Sequence, residues 1–209
     1  MKFQVPEGME EYVKPTEFCD CYSDEIKQKA EELTKNVTTQ KEAAITIFNY
    51  VRDNFIYGPG PWDIKASTML QHDKGICVSK TNLQIALLRA IGIPARYHQV
   101  IISKEILKGI VADFIYDFLL ERIWFHPWCE CYINGKWIAC DLWLDKPSYE
   151  TAIKNGAISI DQIPTIDWDG ETDLKTTTPW ILEDVGIHSS YDKVIKESAK
   201  ENTIRRGTK

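Results

Sequence analysis

Residues 75–97, GICVSKTNLQIALLRAIGIPARY, contain the strongest helix signal of the chain, with a strand signal directly after it. Within this stretch, residues 77–91 place apolar side chains at helical spacing on one face, namely Leu83, Ala86, Leu87 and Ala90. Gly92 is a typical helix stop, and Pro94 cannot continue the helix. We therefore expect a helix that ends near Gly92 and a strand over residues 95–102.

Cys77 begins this helix. A thiol in the first turn of a helix meets unpaired backbone N–H groups and the positive end of the helix dipole, which both favour the reactive thiolate. Gly75, two residues earlier, would let a substrate backbone approach closely. A single cysteine is nevertheless more often a buried structural residue, so a catalytic role for Cys77 requires partners elsewhere in the chain.

A β-hairpin is predicted further along the chain. Residues 126–133 and 136–143 have strand composition, and Asn134-Gly135 between them is the best two-residue turn signal. In a hairpin with this turn, cross-strand partners have residue numbers that sum to 269. The register therefore pairs each residue of the first strand with a known residue of the second.

This register pairs Trp128 with Asp141 and His126 with Trp143. Because side chains alternate between the two faces of a sheet, these four residues share one face. His126 and Asp141 are then diagonal neighbours within side-chain reach, and Asp141 can hold the imidazole in one tautomer. Trp128 and Trp143, together with Gly75, are candidates for lining a substrate cleft.

The remaining cysteines are candidates for a metal site or for core packing. Cys129, Cys131 and Cys140 fall on the opposite face of the predicted hairpin, and Cys19 and Cys21 form a second Cys-x-Cys pair. Zinc sites usually space cysteines by two to four residues, and free cysteine packs as a small apolar side chain. We therefore expect core packing and predict no metal and no cofactor. If these cysteines did bind metal, the protein would be a zinc-dependent structural protein, which is one alternative to an enzyme.

Composition limits the class of protein. The chain has 209 residues and a formal net charge of −6, which argues against nucleic acid as a partner. It contains neither a signal-peptide core near its N-terminus nor an apolar stretch of the ~20 residues that a membrane span needs. We expect a cytoplasmic location, reduced thiols and no membrane partner.

The order of elements predicts an α+β fold, because helices come first and antiparallel strands later. We expect a single domain over residues 1–209. Its core spans about residues 40–147, and residues 148–209 form a C-terminal elaboration that is more polar.

The two motifs resemble those of the transglutaminase-like superfamily. Residues 75–97 look like its cysteine motif, and residues 126–141, HPWCECYINGKWIACD, are similar to its His-x-Trp-x-Glu-x-Tyr strand with the following turn and acid-bearing strand. The resemblance implies a papain-like core in which the cysteine helix packs on an antiparallel sheet. It also implies that Cys77 is the nucleophile, His126 the base and Asp141 the residue that orients it.

Relatives of this kind include cross-linking transamidases, cysteine peptidases, peptide N-glycanases and members with no shown activity. The resemblance implies acyl transfer from a peptide, amide or isopeptide carbonyl of a peptide or protein substrate. We expect hydrolysis in preference to cross-linking, which would need a site for an amine acceptor. For the oxyanion, the backbone N–H of Cys77 is the best donor, and Gln71 and Trp62 are further candidates. The alternative is a catalytically silent peptide-binding module that has kept the fold.

Overall fold

The helices predicted in the first half of the chain are present. The computed structural model describes residues 2–198. The first helix, α1, spans Asp24–Thr34, and the second, α2, spans Gln40–Asn54. A hydroxyl caps the start of each helix. The Ser23 hydroxyl accepts a hydrogen bond from the Ile26 backbone N–H of α1 at 3.4 Å, and the Thr39 hydroxyl accepts one from the Glu42 backbone N–H of α2 at 3.2 Å.

The cysteine helix, α4, spans Cys77–Ala90 and follows a short helix, α3, at Ala66–Met69. The sequence predicts one buried face for α4, but every residue from Cys77 to Arg89 is buried. The reason is that α1, α2 and α3 pack on α4 from one side and the sheet packs on it from the other. Its polar side chains are therefore bonded inside the protein, as Arg89 is to three backbone carbonyl oxygens.

The main sheet has four strands, all antiparallel. Their spatial order is β5-β4-β3-β6, with the bounds β3 Ala95–Ser103, β4 Arg122–Ile133, β5 Lys136–Cys140 and β6 Ile181–His188. Two short strands, β1 and β2, form a separate parallel pair at Ile56–Tyr57 and Lys74–Gly75. The observed architecture confirms the predicted α+β class, with the cysteine helix on an antiparallel sheet.

Smaller elements connect these parts. Among the described residues, 3₁₀ helices span Glu10–Val13, Lys104–Leu107 and Thr178–Trp180. Two further α-helices span Asp113–Phe118 (α5) and Lys146–Lys154 (α6). Residues 192–198 are helical as well. Within residues 2–198, no helix has both the length and the apolar character that crossing a bilayer requires.

The hairpin follows the predicted register only up to Cys140. Asn134 and Gly135 both have positive φ, 51° and 85°, as this two-residue turn requires. The pairs run from Ile133 with Lys136 to Cys129 with Cys140, and each sums to 269. Beyond Cys140 the strand ends, because the next backbone N–H donates to the Leu174 carbonyl at 3.0 Å instead of to β4.

The two predicted pairs nearest the site are therefore wrong. Asp141 does not pair with Trp128, and Trp143 does not pair with His126, since both lie past the end of β5. Leu174, whose carbonyl accepts the Asp141 N–H, belongs to residues 148–198. The same part of the chain supplies β6, which pairs with the other edge of β3. The extent of the domain, including residues 1 and 199–209 outside the described part, stays a prediction.

Candidate active site

Cys77 occupies the first position of α4. The preceding residue, Ile76, caps the helix in an extended conformation and offers no side-chain hydrogen bond to it. The first backbone N–H groups of a helix have no intrahelical acceptor, so they remain available to a negative charge near the thiol. The Cys77 side chain is 8% exposed, whereas each of the other five cysteines is fully buried.

His126 lies on β4 beside Val100 of β3, and it is buried. Cys77 lines the same cavity as His126, and the two side chains interact electrostatically. The ring Nε2 faces Asp141 Oδ1 at 3.6 Å. This distance is longer than a hydrogen bond, so Nε2 has no hydrogen-bond partner among residues 2–198. The structure therefore brings together the three side chains that the sequence selects.

The surroundings of His126 favour its charged form. Burial alone lowers the pKa of an imidazole, but the negative charge of the Cys77 thiolate and contacts with Cys77 and Asp141 outweigh it and raise the pKa of His126 to about 10. A ring with a raised pKa beside a thiol is suited to stabilise the negative charge of a thiolate.

Asp141 is held in place by the C-terminal part of the chain. Its Oδ2 accepts hydrogen bonds from the hydroxyls of Thr176 at 2.9 Å and Thr177 at 3.0 Å, and from the Thr177 backbone N–H at 3.2 Å. These bonds leave Oδ1 for His126. The sequence reasoning missed both threonines, because they lie 35 and 36 residues beyond Asp141 and carry no local signal.

A cavity of about 310 Å³ opens beside Cys77 and His126. Its lining is mostly aliphatic and aromatic, and its apolar residues are Ile76, Ile102, Ile106, Leu107, Phe118, Leu119, Leu120, Ile123, Trp124, Phe125 and Trp143. The segment between β3 and β4 supplies many of them. The thiol and the imidazole therefore meet at the wall of a pocket with the size and character of a ligand site.

The three predicted cleft residues have different positions. Trp143 lines the cavity, and its buried indole N–H has no hydrogen-bond partner within the described chain. Trp128 does not line it, because its ring stacks on His98 with the centroids 4.5 Å apart. Gly75 does not line it either. A Cβ there would meet Met69 Cε at 2.5 Å and Ser79 Oγ at 2.8 Å, so this glycine allows close packing beneath α4.

The two predicted oxyanion donors also differ in position. Gln71 lies exposed in the turn after α3 and is not among the residues that line the cavity. Trp62 is half-buried and stacks on Phe125 at 6.1 Å between centroids. Since Phe125 lines the cavity, Trp62 lies one ring away from it.

The cysteines of the hairpin are buried in the core, as the packing interpretation predicts. Cys140 accepts a hydrogen bond from Gln84 of α4 at 3.2 Å and lies 3.4 Å from the carbonyl oxygen of Cys129. Cys131 is fully buried beside them. In the part of the chain that the structure describes, no group of three or more His, Cys, Asp or Glu side chains is arranged to hold a metal ion.

Lys80 is another residue that the sequence reasoning missed. It lies one helical turn after Cys77, is fully buried, and donates to the Trp143 carbonyl at 3.4 Å. Burial lowers its pKa to about 8, although the charges of Asp145 and Asp53 oppose that shift. A buried lysine without a close carboxylate is uncommon. Its position links the cysteine helix to the segment that carries Trp143.

Known proteins agree with this fold. The family model of the transglutaminase-like superfamily matches residues 27–142, more than half of the chain. The chain therefore belongs to the transglutaminase-like superfamily. Its motifs of residues 75–97 and 126–141 both fall within the matched range, which confirms the resemblance seen in the sequence.

Two solved structures are similar to the chain. One is a candidate cysteine protease from Cytophaga hutchinsonii, 17% identical, with a TM-score of 0.56 over 91% of this chain and 50% of that one. The other is a candidate protease from Parabacteroides distasonis, 15% identical, with a TM-score of 0.40 over 63% of this chain and 24% of that one. The chain thus spans about half the length of the first. No curated protein matches it.

Proposed function

We propose that this protein is a cysteine-dependent acyl-transfer enzyme, acting on a peptide, amide or isopeptide carbonyl, in which Cys77 is the nucleophile. His126 is the general base and acid, and Asp141 orients it. The observation that carries this proposal is the position of His126, which shares a cavity wall with Cys77 and whose Nε2 faces Asp141 Oδ1 at 3.6 Å. Catalytic hydrogen bonds are often long before substrate binds.

The proposed reaction has two halves. In the first, the Cys77 thiolate forms a bond to the carbonyl carbon, and the carbonyl π electrons move to oxygen. The tetrahedral intermediate then collapses to a thioester as the C–N bond breaks, and the leaving amine takes the proton of His126. We assign the stabilisation of the oxyanion to the backbone N–H of Cys77 at the uncapped start of α4.

In the second half, His126 takes a proton from water as the water oxygen attacks the thioester carbon. The C–S bond breaks, and the Cys77 thiolate leaves with the bonding pair. An amine could replace water, which would give transamidation. We favour hydrolysis, because water needs no binding site of its own. The two reactions can be distinguished by incubating the enzyme with a substrate peptide and a small primary amine. Mass spectrometry then shows whether the product is the carboxylic acid of hydrolysis or the amide of transamidation.

Alkylation by iodoacetamide tests the thiol–imidazole pair. Cys77 should react faster than the other thiols, but its greater exposure alone predicts that order. The sharper measurement is the effect of His126→Ala on the Cys77 rate at pH 7. Because a thiol without a base is only a few per cent ionised there, the rate should fall by about tenfold or more.

The matched control is His98→Ala, which removes a histidine that contacts carboxylates but not the thiol. It should leave the Cys77 rate unchanged. Equal rates in the wild type and His126→Ala would contradict the pair. A mass-spectrometric search for an acyl adduct on Cys77 with a peptide library tests turnover. The alternative, a silent binding module, gains support if Cys77→Ala still binds peptide and no library member is turned over.

A further inference from the structure

The cavity beside Cys77 has an apolar character that bears on the substrate. One part of its wall is aliphatic, from Ile102, Ile106 and Leu107, and another is aromatic, from Trp124 and Phe125. Ile102, Ile106 and Leu107 are buried and belong to the core. The pocket next to the thiol is therefore continuous with the packed interior.

Charged groups are scarce on this wall. Apart from His126, the only ionic side chain among its described residues is Arg122, which donates to Glu183 at 2.9 Å. Both members of that pair are more than half exposed, so the cation lies at the protein surface with its charge balanced. No carboxylate lines the cavity within residues 2–198. A charged side chain bound there would lose water at a cost that the apolar wall does not offset. Polar atoms without a partner among residues 2–198 are few on this wall, namely His126 Nε2, the Trp143 indole N–H and the Ser198 hydroxyl.

We propose that the acyl group transferred to Cys77 carries one bulky apolar side chain, aromatic or long aliphatic, which fills this cavity. The inference rests on the proposed function of Cys77. The volume of about 310 Å³ lies at the low end of the ~300–1,000 Å³ range of ligand pockets, which suits a single large group. Leu120 lines the mouth and is 48% exposed, so it offers apolar surface that such a group would cover.

Peptidyl acyloxymethyl ketones that differ in one residue test this specificity. The probes carry Phe, Gln, Glu or Ala beside the ketone. The Cys77 sulfur bonds to the methylene carbon while the C–O bond breaks, and the carboxylate leaves with the electron pair. The second-order rate of Cys77 labelling, measured by peptide mass spectrometry, should be roughly ten- to a hundredfold higher for Phe than for Gln or Glu, from the burial of one large apolar side chain.

A matched pair of variants assigns the preference to the cavity. Leu120→Lys puts a cation at the mouth, and Leu182→Lys makes the same change at a leucine of β6 that is 52% exposed and outside the cavity wall. The Phe-to-Glu rate ratio should fall several-fold in Leu120→Lys and stay at the wild-type value in Leu182→Lys. Because both leucines are largely exposed, neither change removes core packing.

The outcomes separate the two proposals. Equal rates for all four probes, or a preference for Gln or Glu, would overturn the apolar specificity while labelling of Cys77 still supports the nucleophile. A Phe preference that Leu120→Lys does not alter would overturn the cavity as its source. If no probe labels Cys77 faster than the buried thiols, the proposed function itself fails.

Discussion

His98 and His126 lie on neighbouring strands, and each faces carboxylates, but their ring nitrogens are bonded to different degrees. His98 Nδ1 is 2.8 Å from Glu130 and its Nε2 is 2.8 Å from Asp184, so both nitrogens are hydrogen-bonded. His126 Nε2 lies 3.6 Å from Asp141 and has no hydrogen-bond partner in the described chain.

The difference separates a histidine that stabilises the fold from one that is free to exchange a proton. Moving a proton at His98 would break one of two short hydrogen bonds that join β3 to β4 and β6. His126 instead shares a cavity wall with the Cys77 thiol. A general base must give up and regain its proton in each cycle, and only at His126 can this happen without breaking a short hydrogen bond to a carboxylate.

Loss of the His126 imidazole should reduce activity far more than loss of the His98 imidazole. His126→Gln removes the proposed base, and turnover of an acyl substrate should fall by about 10²–10⁴-fold. His98→Gln should change turnover by only about threefold or less, since distant substitutions that leave the fold intact have small effects. Steady-state kinetics of both variants measures this. Similar losses in the two would show that the bonding difference does not mark function.

The two histidines should also differ in how they titrate with pH. The pKa of His126 is raised to about 10 in the presence of Cys77, so the imidazolium persists below that pH. The stability it contributes is fully present below its ordinary pKa of ~6.5 and is lost as the pH rises through about 10.

NMR of the imidazole protons follows this titration directly. In Cys77→Ala, the midpoint of His126 should move down toward its ordinary value, because the charge and contact of the thiolate are removed. The midpoint of His98 should not move, since its partners are Glu130 and Asp184. A His126 midpoint that is the same in both proteins would contradict the coupling.

A smaller effect is expected on stability from the His98 network. Burial lowers the pKa of His98, but its hydrogen bonds to Glu130 and Asp184 outweigh this and raise it. Glu130→Gln removes the charged partner of both His98 and Arg96 and should lower the free energy of unfolding by about 1–3 kcal/mol, as expected for partly buried bonds to charged groups. The part of the loss that comes from His98 should shrink as the pH rises through the folded-state pKa of His98, because the imidazolium is then gone in both proteins, whereas the part from Arg96 should persist. Urea denaturation at several pH values measures it.

The sequence predicts those parts of the fold that rest on local chemistry. Asn134-Gly135 requires positive φ at two successive residues, and this alone sets the hairpin register that the structure confirms as far as Cys140. The hydroxyl caps at Ser23 and Thr39 likewise mark the helix starts. The catalytic roles of the three site residues stay predictions, although the structure brings their side chains together.

Features that depend on contacts distant in sequence escape this reasoning. Strand alternation predicts the face of Trp128 but not that His98 of the neighbouring strand covers it. A glycine two residues before a cysteine indicates that another group approaches the backbone closely. The groups that approach Gly75 are the side chains of Met69 and Ser79. The bonds from Thr176 to Asp141 join residues 35 positions apart and have no periodic signal.

The smallest expected effect concerns these anchoring bonds. Thr176→Val keeps the side-chain shape but removes one of three hydrogen bonds to Asp141 Oδ2. One such bond is worth about 0.5–1.5 kcal/mol, so kcat should fall roughly two- to tenfold while KM changes little. The control is Thr178→Val, whose hydroxyl donates to the Lys175 carbonyl and does not contact Asp141. If both variants lose the same activity, Thr176 acts through general packing, and if neither does, the orientation of Asp141 does not limit the reaction.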